Sequence, residues 1–420
     1  MKKQTQRSGG RGGPRGRGGS GGRGGPRGRG GPRGRGGPRG SGPRGSGPRG
    51  SGPRGSGPRR ANKPSDKVAA TPEPKAVREP PPPEVFEAVE PDLGFEEGRF
   101  HAGYVALVGR PNVGKSTMLN TLLGQKIAAT THKPQTTRKN LMGVLNPKGA
   151  QLLLLDTPGH HQAKGPLNRY MVAQAESAIE EADVVGYVVE ARGDRRVTPG
   201  NERLVDVLQR SGKKVVLILN KVDRVKNKEG MLFQIQALQE VLKDQIAAVV
   251  PISATKRSGL DRVVKELAMA LPLGTRFFDD DTFTDQSERS IVAELIREKV
   301  MLATQEELPY SAAVTIDAFE DERPRLVHII ATVHVERDSQ KPIVIGKQGE
   351  RIKNIGIRSR HEIERFVGAK VFLELHVRVT GNWSNNRRSM ADLGYTEERE
   401  AATSIQIPAD MQDDLQEEGE

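Results

Sequence analysis

The chain of 420 residues has no cysteine, a single tryptophan and only 4% aromatic residues. Without thiols there can be no disulfide, no thiolate nucleophile and no cysteine-bound zinc, and a reducing compartment fits. Long apolar runs are also missing. Leu152 to Leu155 and Val215 to Leu219 have the length of buried strands and fall far short of a bilayer's thickness, so no transmembrane segment is expected. The basic N-terminus is not followed by an apolar stretch, which argues against a secretory signal; a soluble, cytoplasmic protein is expected.

Acidic residues are absent from residues 1–60, where two Lys and fifteen Arg are set in repeated RGG, GPRG and GSGPRG units. That segment carries +17 against +13 for the whole chain, leaving −4 for residues 61–420, so the basic excess belongs to the tail and not to the body. Such a composition buries too little apolar surface to offset chain entropy, and disorder is expected there. Its guanidinium groups suit phosphates and base faces, so RNA contact is expected in preference to a plain spacer. Residues 61–99 read as a Pro-rich, acidic linker with four prolines at Pro80 to Pro83. Residues 386–420 form a C-terminal segment in which nine carboxylates beyond Tyr395 face only Arg399, as in a solvated acidic tail.

Between the tails, residues 100–272 alternate short apolar strands with amphipathic helices: Tyr104 to Val108 then Lys115 to Leu123, Gln151 to Leu155 then Asn168 to Glu181, and onward to Leu260 to Leu271. The pattern predicts an α/β domain with a mostly parallel sheet and helices on both faces. A turn-rich acidic linker, 273–286, leads to a smaller α+β domain over 287–385, ordered helix, strand, strand, helix, helix, strand.

Gly109-Arg110-Pro111-Asn112-Val113-Gly114-Lys115-Ser116 matches GxxxxGK[ST], followed by Thr117, and stands between a strand and a helix as a P-loop requires. Its amides and the helix N-terminus suit phosphate, Lys115 would reach the β and γ phosphates, and Ser116 would ligate Mg²⁺. Asp156-Thr157-Pro158-Gly159 ends a later strand, placing Asp156 to hold Mg²⁺ through water and the Gly159 amide to meet a γ phosphate. Asn220-Lys221-Val222-Asp223 ends another; a carboxylate at Asp223 accepts from both guanine donors, a pair that adenine lacks. Ser253-Ala254-Thr255, next to Lys256, would close over the base.

In the second domain, Gly346-Lys347-Gln348-Gly349 fits the GXXG turn of a type II KH module. Lys341, Lys347, Arg351 and Lys353 are its candidate phosphate contacts beside Gly346, Gln348 and Gly349. Ile343, Ile345, Ile352 and Ile355 have core spacing. Trp383 either stacks on a base or pins the last strand.

Taken in order, the P-loop, DTPG, NKVD and SAT elements resemble those of the translation-factor-type GTPases, and GRPNVGKST with PQTTR resembles the Era branch of the TrmE-Era-EngA-EngB-Septin-like group. The KH half adds Leu308-Pro309-Tyr310, Ile352-Lys353-Asn354-Ile355-Gly356 and Asn382-Trp383, so the likeness spans about residues 100–395. The resemblance implies a GTPase using GTP/GDP with Mg²⁺ that binds 16S ribosomal RNA near its 3′ end and assists 30S subunit assembly and rRNA processing. It also implies peripheral association with the inner face of the cell membrane. Asn112 matches the asparagine that helps place K⁺ in potassium-dependent relatives, and Thr137, or else Thr136, matches the switch threonine that reaches Mg²⁺ only when a γ phosphate is present. After Gly159 the chain departs from Era-like sequences, which carry an aliphatic residue there. His160, followed by His161, stands where elongation-factor GTPases place the histidine that orients the attacking water, and the alternative is a solvent-facing loop histidine. A monomer is expected. The rival reading is a constitutive RNA scaffold or chaperone in which GTP is mainly structural.

Overall fold

The computed structural model describes residues 87–96, 98–160, 165–192, 199–304, 308, 312–323 and 325–396. The Arg/Gly tail, most of the Pro-rich linker, His161, Pro309 and Tyr310, and the acidic C-terminus lie outside the described residues.

In chain order the first domain comprises β1 (His101–Val108), α1 (Lys115–Leu123), β2 (Leu141–Leu145), β3 (Ala150–Asp156), α2 (Pro166–Glu181), β4 (Val184–Glu190), α3 (Pro199–Ser211), β5 (Lys214–Asn220), α4 (Glu229–Leu242), β6 (Ile246–Pro251) and α5 (Leu260–Ala270). The sheet order is β2-β3-β1-β4-β5-β6; β2 pairs antiparallel with β3 and every other pair is parallel. Apolar residues on both faces of the inner strands bury under the helices: Val105, Leu107 and Val216 on one side, Ala106, Tyr187 and Leu217 on the other. This is the α/β architecture expected. It puts the loops after β1, β3 and β5 side by side at the carboxyl end of the sheet, where open parallel sheets present ligand sites.

The edge strand β2 has no counterpart among the expected strands. Its five residues include Gly143, and its pairing is supplied by β3. The described end of the first presumed linker and the whole of the second make defined contacts with the first domain. Val89 donates its amide to the Leu122 carbonyl at 2.8 Å, and Leu93 is buried against the first domain. Residues 273–286 form a strap: Gly274 N–H reaches the Phe100 carbonyl at 2.9 Å, Gln151 bonds the backbone of Phe277 and Phe278, and Val144 N–H reaches Phe283 O at 2.9 Å.

The second domain runs α6 (Glu288–Ala303), β7 (Ala313–Glu322), β8 (Leu326–Val335), α7 (Lys341–Ile345), α8 (Glu350–Val367) and β9 (Val371–Val379), followed by a short α9 (Arg387–Asp392). Its sheet is β7-β8-β9, with β7 antiparallel and β9 parallel to β8, and α6 and α8 pack on one face over Val327, Ile329, Ala331 and Val333. This is the expected type II KH order. Beyond the sheet, Trp383, Met390 and Tyr395 pack against Leu167, Tyr170 and Met171 of α2, so the C-terminal segment is seated on the first domain up to Tyr395. Trp383 is fully buried, which takes it out of reach of a base.

Candidate nucleotide and RNA sites

The loop between β1 and α1 holds its shape through close backbone approach. Gly114 has φ of +102°, and a Cβ there would stand 2.3 Å from Nδ2 of Asn220. That contact belongs to a brace. Asn220, buried at the end of β5, donates from Nδ2 to Val113 O at 2.9 Å and accepts on Oδ1 from Ala254 N at 3.0 Å and Lys221 N at 2.7 Å. One side chain thus ties together three of the expected nucleotide loops. Beside it, Asp223 is exposed and accepts from Ser253 Oγ at 2.7 Å, a bond that holds its carboxyl below the usual range and keeps it an acceptor. Lys221 reaches the Asn112 carbonyl at 2.6 Å. Thr255 stands near the Ser253 hydroxyl at 3.4 Å.

On the phosphate side, Lys115 is buried with Nζ 3.2 Å from Gly109 O and 3.4 Å from Arg110 O. Burial lowers its pKa to about 8 against the opposing pull of Asp156. Ser116 Oγ donates to Asp156 Oδ2 at 2.6 Å, while Thr137 Oγ1 lies 2.8 Å from Ser116 Oγ and 3.1 Å from the same carboxylate oxygen. Thr136 turns elsewhere, to Thr131 at 2.7 Å and Lys133 O at 2.8 Å. The other oxygen, Asp156 Oδ1, is buried with no hydrogen-bond partner. Burial raises the Asp156 pKa despite the Lys115 charge and the two hydroxyls. Two hydroxyls and one carboxylate, whose second oxygen is orphaned, make an all-oxygen set of the kind hard divalent cations take, so these residues fit Mg²⁺.

Thr157 is anchored by its hydroxyl to Leu107 O at 2.8 Å, and Gly159, after Pro158, lies so close to Pro111 that a Cβ would meet the Pro111 nitrogen at 2.6 Å. The next residue, His160, donates its amide to Gly109 O at 3.1 Å and is 5% exposed, its Nε2 3.8 Å from Glu176 on α2. A solvent-facing histidine is therefore excluded. Asn112 adopts φ of +64° and donates from Nδ2 to His132 O at 2.8 Å.

In the second domain, the turn from α7 to α8 has Gly346 at φ +75°, Gln348 at +52° and Gly349 at +78°; a Cβ on Gly346 would lie 2.9 Å from the Arg351 nitrogen. Lys341, Lys347, Gln348 and Lys353 are exposed around it. Arg351 also stands beside the turn, partly exposed. Its Nη1 turns back to the Ile343 carbonyl, bracing the loop from within. A groove of about 340 Å³ continues from this turn between α8 and β9, with Lys353, Gly356 and Arg360 on one wall and Val371 and Leu375 on the other. Arg360 escaped the sequence reading because it lies well beyond the GXXG motif, on a helix whose register with β9 only the fold supplies.

The family model described as a 50S ribosome-binding GTPase matches residues 104–221, and that of the KH domain matches residues 307–384. A GTPase Era from Syntrophus aciditrophicus is 46% identical over 299 residues, covering 71% of this chain and 96% of its own length. The chain belongs to the GTPase Era family. Another Era, from Geobacter metallireducens, is 47% identical over 303 residues, with 72% of this chain and 100% of the relative covered. Two solved Era structures match with TM-scores of 0.67 at 38% identity, covering 71% of this chain and 100% of each. One is a single-residue variant of Aquifex aeolicus Era bound to GDP·AlF₄⁻; the other is Era in complex with MgGDPNP and nucleotides 1506–1542 of 16S ribosomal RNA. The protein is thus a GTP-hydrolysing enzyme of the Era family that binds GTP and carries an RNA-binding KH domain.

Proposed function

We propose that the protein is a GTP-driven switch that binds 16S ribosomal RNA near its 3′ end and assists assembly of the 30S ribosomal subunit and rRNA processing. The observation that carries this reading is the bonding of the segment ahead of Thr137 to the KH helices. Lys126 pairs with Glu298 on α6 and Glu362 on α8, each at 2.7 Å, and Thr130 N–H reaches Glu298 at 2.7 Å. Lys133 reaches the carbonyls of Met301 and Thr304, and Arg297 of α6 binds the Thr136 carbonyl. Helix α8 begins at the GXXG turn and carries Glu362 about 18 Å further along its axis, so one rigid element touches both the RNA turn and the switch segment. The relative solved with 16S RNA supports the choice of RNA.

In the nucleotide site, Asp223 would select guanine and Asn220 would hold the three loops around it. Lys115 would meet the β and γ phosphates, and Ser116, Thr137 and, through water, Asp156 would hold Mg²⁺. When bound, the metal offsets negative charge on the transferring phosphoryl group. His160, held against the P-loop by its own amide, would orient the attacking water, with Glu176 steering the imidazole. Asn112 is the candidate for contact with K⁺. In the KH domain, Lys341, Lys347, Arg351 and Lys353 take phosphates, and the Arg/Gly tail adds sequence-independent RNA contact. Cytoplasmic location as a monomer, with peripheral contact at the cell membrane, completes the reading; among the described residues no helix is long and apolar enough to cross a bilayer.

The test is the affinity of a labelled RNA ending in the small-subunit 3′ sequence, measured with a non-hydrolysable GTP analogue and with GDP. Binding about tenfold or more tighter with the analogue is expected. Equal affinities would favour the constitutive scaffold.

A further inference from the structure

We propose that Arg138 is a positioning residue for GTP hydrolysis. It holds the adjacent Thr137 against Ser116 and Asp156 by inserting its guanidinium into a cage formed by Ala312, Trp383 and Tyr395, so that the seating of the C-terminal segment governs the hydrolysis rate. The inference rests on the reading of Thr137 as the residue that senses the γ phosphate.

Arg138 comes from a loop, yet it is only 1% exposed. Its Nη1 donates to Ala312 O at 2.8 Å and to the Tyr395 hydroxyl at 3.2 Å. The guanidinium carbon lies 5.6 Å from the centroid of Trp383 and 5.9 Å from that of Tyr395, and those rings stack on each other at 5.5 Å with 16° between planes. Tyr395 also meets Tyr170 of α2 edge-on at 6.0 Å. The cage therefore draws on the start of β7, the segment after β9 and a helix of the first domain. A buried guanidinium is unfavourable unless dipoles and π faces replace its water, so the arginine holds one position far more firmly than an exposed loop residue would.

The geometry turns that firmness into control. Consecutive Cα atoms are about 3.8 Å apart, so the backbone of Thr137 is tethered near Ser116 and Asp156 while the adjacent Arg138 stays caged. On its other side, Thr136 is held through its carbonyl by Arg297, which is paired with Glu294. The guanine loops lie apart from the cage: Asn220, Asp223 and Ser253 bond to one another's loops, with Arg138 in none of these contacts. Loosening the cage should thus slow hydrolysis while leaving GDP binding intact. A role confined to fold stability would move both.

The experiment measures single-turnover GTP hydrolysis and GDP affinity on the full chain for Tyr395→Phe, Arg138→Lys, Thr137→Ala and the double variant Thr137→Ala/Tyr395→Phe. Tyr395→Phe keeps the stacked ring and removes only the hydroxyl; Arg138→Lys keeps the charge and loses the planar fork. Each is expected to hydrolyse GTP about tenfold more slowly with GDP affinity unchanged, and Tyr395→Phe is expected to add nothing to Thr137→Ala. A parent-like rate in Tyr395→Phe overturns the proposal, as does a loss that persists in the Thr137→Ala background or that is matched by a loss of GDP affinity. If Arg138→Lys fails to fold, Tyr395→Phe decides alone. A parent-like rate in Thr137→Ala would instead remove the underlying reading of Thr137.

Discussion

Replacing Asn220 by alanine isolates the brace across the proposed guanine site. The substitution deletes three hydrogen bonds, to Val113 O, Ala254 N and Lys221 N. Val113 and Ala254 are buried, so their carbonyl and amide lose a partner where water has poor access. A stranded buried group of this kind costs about 1–3 kcal/mol, which for two gives roughly 2–6 kcal/mol. Lys221 N, nearer the surface, can find water and adds little. Allowing for relaxation of the loops, the expected cost is about 3 kcal/mol, equivalent to about a hundredfold in an equilibrium constant.

That cost divides between two measurable quantities. Loops that stay apart without nucleotide give it up as lost folding stability; loops that regain their places on binding give it up as weaker affinity. Urea unfolding of the nucleotide-free protein and calorimetric titration with GDP therefore have to be summed. The affinity loss should be equal for GDP and GTP, because the brace joins the base-side loops and Thr137 has no part in it. A summed effect below about 1 kcal/mol, or a loss seen with GTP alone, would refute the brace.

Two further outcomes follow from charge. Lys347→Ala should weaken RNA binding and reduce the slope of log affinity against log salt by about 0.7, as for one lost phosphate contact on a single strand, with base preference unchanged; an unaltered slope would remove Lys347 from the backbone contacts. His334 sits on the open face of the KH sheet between Thr315 and Thr380, each 2.9 Å from a ring nitrogen; burial, opposed by Asp317 and aided by Arg378, lowers its pKa below the ordinary 6.5. The unfolded chain then takes up the proton first, so the stability this histidine confers is complete above pH 6.5 and is lost as pH falls towards the folded pKa. His334→Gln should flatten that part of the urea-unfolding profile, and an unchanged profile would exclude it.

Sequence patterns made the elements legible wherever the signal was local. A strand, a glycine-framed loop and a lysine at the head of a helix follow one another directly between His101 and Ser116, and apolar runs such as Val215 to Leu219 are too short for anything but buried strands. The KH order was readable for the same reason. Features that depend on a distant partner were not. The LMGVL segment becomes β2 because β3 offers it a ladder, and its own five residues carry little periodicity. The acidic stretch 273–286 reads as a linker until Gln151, far earlier in the chain, bonds its backbone. Arg351 beside the GXXG turn and Arg138 beside Thr137 are both basic residues next to loop motifs, where exposure is the ordinary expectation. Each instead directs a guanidinium nitrogen inward, to Ile343 O and Ala312 O, and a sequence does not show which way such a side chain turns.

This inward turn bears on how nucleotide and RNA sites can communicate. Residues 126–138 have one set of contacts facing the P-loop and Asp156, through Thr137 and the carbonyl of His132, and another facing the second domain, through Lys126, Thr130 and Lys133 to its helices and through Arg138 to Ala312 ahead of β7. A segment held from both sides can favour a single placement only if both sets are satisfied together. Whatever free energy a γ phosphate contributes to that placement is then available to the KH arrangement, and RNA bound at the GXXG turn must favour GTP over GDP by the same factor that GTP favours RNA. Because this equality holds for binding and not for the chemical step, an RNA effect on hydrolysis larger than its effect on GTP affinity would have to come from the transition state. Arg138 and Thr137 are then the place to look for it, since they join the KH side of the segment to the oxygens around Asp156.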